Sequence, residues 1–247
     1  KIDFLTSHKI TRDDCFTELA KAYNQDLQPE KAIETLMSHS FVPCEGGEHA
    51  IADQYLFAHL VIGRNALKNG DVSKALEAFR KGQILPQSLG AGVWNHCKLV
   101  PLKYFEAICL EKLNNKAEAD EIFTYIATIG IEYFSNMHLK ELPYYQAYAW
   151  KHLGEDIKAQ RLITKYRREW KDIDKVIDNG FFGTTPFFIS FTDNPKQLRR
   201  AQHCYLNALI ADFTGDNEKA QAYISESLAL NSENLPALTF KIQGFLK

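Results

Sequence analysis

Two carboxylates set around a pair of glycines, Glu45-Gly46-Gly47-Glu48, are the residues of this sequence best suited to chemistry. The glycines let the backbone turn sharply, and such a turn could aim both side chains at one ligand. Paired carboxylates are what glycoside hydrolysis uses, one as acid and the other as base or nucleophile. The same residues have a plainer use: the glycines make the turn, and Glu48 faces the positive end of a helix beginning near Ala50. Glu45 and Glu48 are therefore candidate catalytic groups with a structural alternative, and a further domain would be expected to complete any sugar site. Histidine and cysteine offer less. His49, His59, His96-Cys97 and His203-Cys204 lack metal-ligand spacing such as HExxH. There is no glycine-rich phosphate loop and no nucleophile elbow. No metal and no cofactor are expected, and enzymatic activity is not expected of the chain on its own.

The elements that must position these residues are helices. Leu60 to Gly82 reads as two helices joined at Asn69-Gly70-Asp71, with a glycine stop and then a short polar cap. Gly63, Ala75 and Phe79 form a triplet in it: a small residue, an alanine twelve positions on, and a large apolar residue four further. Small residues allow close helix approach and the ring fills the gap. The spacing recurs as Ala20, Ala32 and Leu36; as Ala107, Ala119 and Phe123; as Ala147, Ala159 and Ile163; and as Ala208, Ala220 and Ile224. Turn signals sit inside each pair, at Gln28-Pro29-Glu30, Asn114-Asn115-Lys116, Gly154-Glu155-Asp156 and Gly215-Asp216-Asn217. One hairpin cannot bury its own apolar face, so such units stack.

These triplets resemble the tetratricopeptide repeat. The resemblance implies an all-α fold, a right-handed α-α superhelix, that is, a tetratricopeptide-like solenoid with irregular insertions. The usual period is about 34 residues, whereas Ala32, Ala75, Ala119, Ala159 and Ala220 are 43, 44, 40 and 61 apart, so the connections between pairs carry the insertions. One helical-repeat domain, 1–247, is expected, with pairs near 13–39, 55–84, 100–128, 140–168 and 199–230 and a cap at 235–246. Under this register Tyr104, Tyr144 and Tyr205 take the fifth position of the first helix of a pair, which in this repeat class faces the concave groove. Tyr148 lies one turn after Tyr144, and Arg64 and Lys68 share the corresponding face of the second pair. These six are the candidate groove, able to hold a peptide, a sugar ring or a partner loop. The alternative is that the rings pack beneath the insertions.

Four insertions stand out: His39 to His49, Leu85 to Pro101, Gly130 to Pro143, and the Phe-rich 179–195. The last is expected to be extended and to pack through Phe181, Phe182, Phe187 and Phe188. Two of them look more particular. Phe41-Val42-Pro43-Cys44-Glu45-Gly46-Gly47-Glu48, and Gly180-Phe181-Phe182 with Pro186-Phe187-Phe188 and Phe191-Thr192-Asp193, resemble motifs of a bacterial family of unknown function. His203-Cys204-Tyr205 fits the helix that follows. Cys44 departs from the family pattern, which has tryptophan there. That family carries an N-terminal β-sandwich region of the kind found in carbohydrate-processing proteins. The resemblance implies that this chain, which begins at Lys1, is the C-terminal part of such a protein.

Bulk properties narrow the partners. The 247 residues are 45% hydrophobic with a formal charge of −2, so no net positive field attracts a phosphate backbone and nucleic acid is not expected. Apolar runs fall well short of the roughly 20 residues that span a bilayer, so no membrane partner is expected. Five cysteines at wide spacings, without CxxC, read as reduced thiols, which points to the cytoplasm. The expected function is a protein-binding or scaffolding module, engaging a partner protein or its own N-terminal region. The alternative is an accessory helical domain of a carbohydrate-active enzyme.

Overall fold

The computed structural model describes residues 1–43, 48–90, 92, 96–130, 140–171 and 194–246. Among them the regular elements are helices: α1 (Ile2–Thr6), α2 (Asp13–Gln25), α3 (Pro29–Met37), α4 (Glu48–Lys68), α5 (Val72–Gly82), α6 (Val100–Lys112), α7 (Lys116–Thr128), α8 (Leu142–His152), α9 (Asp156–Lys171), α10 (Pro195–Phe213), α11 (Asn217–Leu230) and α12 (Leu235–Gln243). The fold is all-α, as the sequence leads one to expect. Two compact units divide the chain, Lys1–Ile122 and Phe123–Lys247, with the boundary inside α7.

Five hairpin turns share one geometry. Each has a single residue in the left-handed region: Leu27, Gly70, Asn114, Gly154 and Gly215, at φ between 58° and 85°. The next residue in each turn then donates its N–H to the carbonyl five positions back, at 2.8–2.9 Å: Gln28 to Tyr23, Asp71 to Ala66, Asn115 to Leu110, Glu155 to Trp150, Asp216 to Ala211. This is the six-to-one closure of the Schellman motif, and it satisfies a carbonyl left free at the helix end. The second helix follows at once. Ala32, Ala75, Ala119, Ala159 and Ala220 donate their N–H groups to the carbonyls of those same turn residues, at 3.0–3.2 Å. Asp71 and Asp216 add side-chain caps, accepting from the N–H of Lys74 and Lys219.

The triplet residues are buried. Each alanine of the five triplets has no exposed surface. Leu36, Phe79, Phe123 and Ile224 are equally covered, and Ile163 nearly so. Gly63 shows why the first position is small: a Cβ there would lie 2.3 Å from Cε1 of Phe79.

Leu27 is the odd member of the turn series. It holds φ 58° with a branched side chain that is 42% exposed. The left-handed region costs a non-glycine residue roughly 1–2 kcal/mol, partly offset by the greater freedom glycine has when unfolded. Leu27→Gly is expected to stabilise the chain by about 0.5 kcal/mol, read as a higher denaturant midpoint with an unchanged slope.

Two helices start earlier than the expected pairs. α4 begins at Glu48 rather than near 55, because Ile51, Ala52 and Tyr55 extend its buried face backward. α10 begins at Pro195, where Asn194 accepts from the N–H groups of Lys196 and Gln197 and proline occupies the first turn. Among the described residues no helix is long and apolar enough to cross a membrane. Cys15 and Cys109 are free thiols. Burial, followed by the Glu106 charge, pushes Cys109 up to about 12, so it stays a protonated, unreactive thiol.

In the first unit Arg80 braces three helices. Its guanidinium donates to Glu106 of α6 at 2.7 Å and to Glu118 of α7 at 2.6 Å, and Gln83 donates to the second Glu106 oxygen at 2.6 Å. Glu106 is only 10% exposed, so removing the cation leaves a mostly covered carboxylate undercompensated. Arg80→Ala is expected to cost about 2 kcal/mol in chemical denaturation.

Candidate functional site

In the first unit the start of the His39 to His49 insertion is clamped to the first residue of α2. His39 Nε2 donates to Asp13 Oδ1 at 2.7 Å, and the Val42 N–H donates to Asp13 Oδ2 at 2.9 Å. These bonds hold the Asp13 carboxyl below its ordinary range, the His39 contact most strongly. Phe16 stacks on the imidazole at 4.1 Å, and Phe41 stands edge-on to it at 4.9 Å. The Leu85 to Pro101 insertion meets this one. The Phe41 N–H donates to the Ser88 carbonyl at 2.8 Å, and Leu89 is fully buried in a core with Leu36, Phe41, Ile51 and Tyr55. Gly90 allows the approach: it has φ 60°, and a Cβ there would sit 2.5 Å from the Phe41 carbonyl oxygen.

An aspartate-oriented imidazole is two thirds of a nucleophilic triad. Among the described residues, however, no serine, threonine or cysteine is hydrogen-bonded to His39, and no group of His, Cys, Asp or Glu is arranged to hold a metal. The arrangement positions a loop.

The second unit holds a different cluster. Tyr144 and Tyr148, one turn apart on α8, both donate to Oδ2 of Asp212 on α10, at 2.7 and 2.6 Å. Asp212 is 1% exposed. Burial above all, then the neighbouring Tyr148 and Asp212, hold the Tyr144 hydroxyl well above its ordinary range, so it remains a donor. Phe213 and Phe240 stand edge-on to Tyr148 and Tyr144, and Lys151 caps the Phe213 ring at 4.3 Å.

The sequence candidates separate in three dimensions. Tyr104, Tyr144, Tyr148 and Tyr205 are all buried among the described residues. Their flat, large faces supply more buried contact than any small residue at the fifth position would. Arg64 is likewise covered, with its guanidinium 4.7 Å over the Phe105 ring, whereas Lys68 is exposed in the last turn of α4. Arg64 and Lys68 therefore do not form one charged face. Glu48 is the first residue of α4. Its side chain, Glu45, and Phe181, Phe182, Phe187 and Phe188 lie outside the described residues.

Two features escaped the sequence reading. Asp212 was legible only as a lone carboxylate in the otherwise apolar stretch Ala208–Phe213. The outer face of α9 was legible as spacing: Lys158, Arg161, Lys165 and Arg168 fall three, four and three residues apart, and all four are exposed. Six cations and two anions in this helix contrast with a chain of net charge −2. A shallow depression of about 400 Å³ runs along it, lined by Gln160, Arg161, Thr164, Lys165, Arg168 and Glu169. Lys158 is paired with Glu155 at 3.0 Å and Lys165 with Glu169 at 3.9 Å, which leaves the arginines as the dominant charge.

No known family profile matches the chain. Two solved structures of a candidate kinesin light chain from Podosopora anserina, with nearly identical TPR-like repeats, are similar to it at 17% identity. One is a single-substitution variant, covering 90% of this chain and 95% of its own, with a TM-score of 0.32. The other covers 94% and 97%, with a TM-score of 0.31. At those scores neither bears on function, and the all-α assignment stands on the helices themselves.

Proposed function

We propose that this chain is a helical-repeat protein-interaction module whose working surface includes the outer face of α9, and that the partner presents an acidic polypeptide segment. The observation that carries the reading is the exposed stripe Lys158, Arg161, Lys165 and Arg168 on a chain of net negative charge. Five hairpins closed by one turn geometry support it, since repeated helix pairs of this kind leave one face of each helix free to carry polar side chains. A stripe of four cations attracts acidic peptide strongly at low salt and weakly once the Debye length falls below about 10 Å. The longer bacterial parent and its N-terminal β-sandwich region remain part of this proposal, as one source of such a segment.

The test is fluorescence anisotropy of a labelled ten-residue Asp/Glu peptide with the full chain. Saturable binding is expected at low ionic strength, weakened at least about tenfold in 0.5 M salt and by Arg161→Glu with Arg168→Glu, at an unchanged melting temperature. Binding indifferent to both variants would sink the α9 assignment. A parallel oligosaccharide panel addresses the carbohydrate alternative. The buried tyrosines offer no stacking platform for a sugar, and no saturable binding is expected there.

A further inference from the structure

The segment Gly244–Leu246 leaves α12 and enters the Tyr144 cluster of the second unit. Gly244 has φ 85° and ψ 176°, a conformation essentially reserved for glycine, and it turns the chain out of the helix. Two residues then dock. Phe245 stacks on Phe240 at 5.2 Å and 17° between planes, and Leu246 is 1% exposed. The Leu246 N–H donates to the Tyr144 hydroxyl oxygen at 3.3 Å, and that hydroxyl donates in turn to Asp212. The buried carboxylate polarises the hydroxyl and makes its oxygen a better acceptor. Tyr205 is tilted against Phe240, 6.1 Å between centroids.

These are the contacts an extended peptide would make in trans: one backbone N–H on a polarised hydroxyl, one aromatic side chain on an aromatic platform, and one aliphatic side chain in a closed slot. The segment making them follows Gly244, whose backbone conformation turns it out of α12. We propose that the slot framed by Tyr144, Asp212 and Phe240 is a binding site for an extended apolar peptide of the aromatic–leucine type, and that Phe245-Leu246 is its resident occupant in cis. Tyr144, expected to face a groove, is then covered by the chain's own residues. A tethered occupant acts at an effective concentration of order millimolar, so a free peptide competes poorly until the tether is removed. The proposal rests on the interaction-module reading but not on α9, and the two fail separately: loss of acidic-peptide binding leaves the slot untouched.

The probe is a labelled acetyl-Gly-Phe-Leu-Lys-amide, titrated against the full chain and against a chain ending at Gly244. Saturable binding is expected to be at least about tenfold tighter for the shortened chain and to be lost on adding Tyr144→Phe. A shortened chain that folds but does not bind the peptide overturns the proposal. Native-state hydrogen exchange of the full chain decides the matter if the shortened chain does not fold. The Leu246 amide is expected to exchange through a local opening insensitive to denaturant, while α8 and α10 exchange through unfolding of the unit. Exchange of Leu246 only with that unfolding would make the segment ordinary core and overturn the proposal.

Discussion

Acidification from pH 6.5 to pH 4 is expected to remove about 3 kcal/mol of stability through one residue, His59. This imidazole sits mid-way along α4, 3% exposed, edge-on to Tyr55 at 4.6 Å and pressed against Gly82, where a Cβ would come within 2.6 Å of its own Cβ. Neither ring nitrogen has a hydrogen-bond partner among the described residues. Burial, with a smaller contribution from the Lys81 charge, pushes it down from 6.5 to about 4. The sign follows directly. The folded state keeps the ring neutral, whereas the unfolded chain takes a proton once pH falls below about 6.5. Between those values the unfolded state binds more protons, so stability is complete above pH 6.5 and declines as pH falls towards 4. The Asp13 carboxyl, held below its ordinary 3.8, contributes its own loss at lower pH, outside this window. His59→Phe keeps a flat ring and removes both polar atoms. It is expected to be more stable than the parent by about 2 kcal/mol at pH 5 from the proton term alone, and its midpoint should change little between pH 5 and pH 7.5. Parallel urea denaturations at those two pH values check this. Equal pH dependence in parent and variant would show that His59 is not buried as described.

The second large effect concerns Gly63. A methyl group there would overlap the Phe79 ring, with three ring carbons between 2.3 and 2.6 Å away. Phe79 has no exposed surface and stacks on Phe105 at 5.6 Å, so it cannot yield without disturbing α6. Alanine is favoured over glycine in a helix interior by roughly 1 kcal/mol, yet Gly63→Ala is expected to destabilise by about 2 kcal/mol net, and Gly63→Leu by about 3 kcal/mol or more. Steric conflict with one partner predicts strong coupling. Phe79→Leu should cost about 1 kcal/mol alone but restore about 1 kcal/mol in the Gly63→Ala background. A double-mutant cycle by chemical denaturation reads this coupling, and simple additivity would mean that the two side chains do not meet.

How much of this was legible beforehand depends on the range of the signal. The turns were readable because their chemistry is local: Gly70, Gly154 and Gly215 each announce a left-handed residue. Leu27 could not be read this way, since nothing in a leucine marks φ 58°, and the neighbouring Pro29 was the only cue. The triplets were readable because helix periodicity turns spacing into contact, and Gly63 against Phe79 is that contact. Within the candidate site the reading was weaker. Side-chain type and repeat position placed Tyr104, Tyr144 and Tyr205 on a groove face, but a position on a helix does not say what covers it.

By itself, then, the sequence determined that the chain is helical, where its five hairpins turn, and which small residues let the helices close, because each of these depends on residues fewer than about twenty apart. Only the tertiary structure decided that Asp212 would gather Tyr144 and Tyr148 from 68 and 64 residues away, and that Leu246 would reach Tyr144 across 102. It also decided that Asp13 would hold His39. The reason is physical. A buried carboxylate must be hydrogen-bonded wherever the fold places it, but the rule names no partner, and the partner is chosen by how distant helices pack.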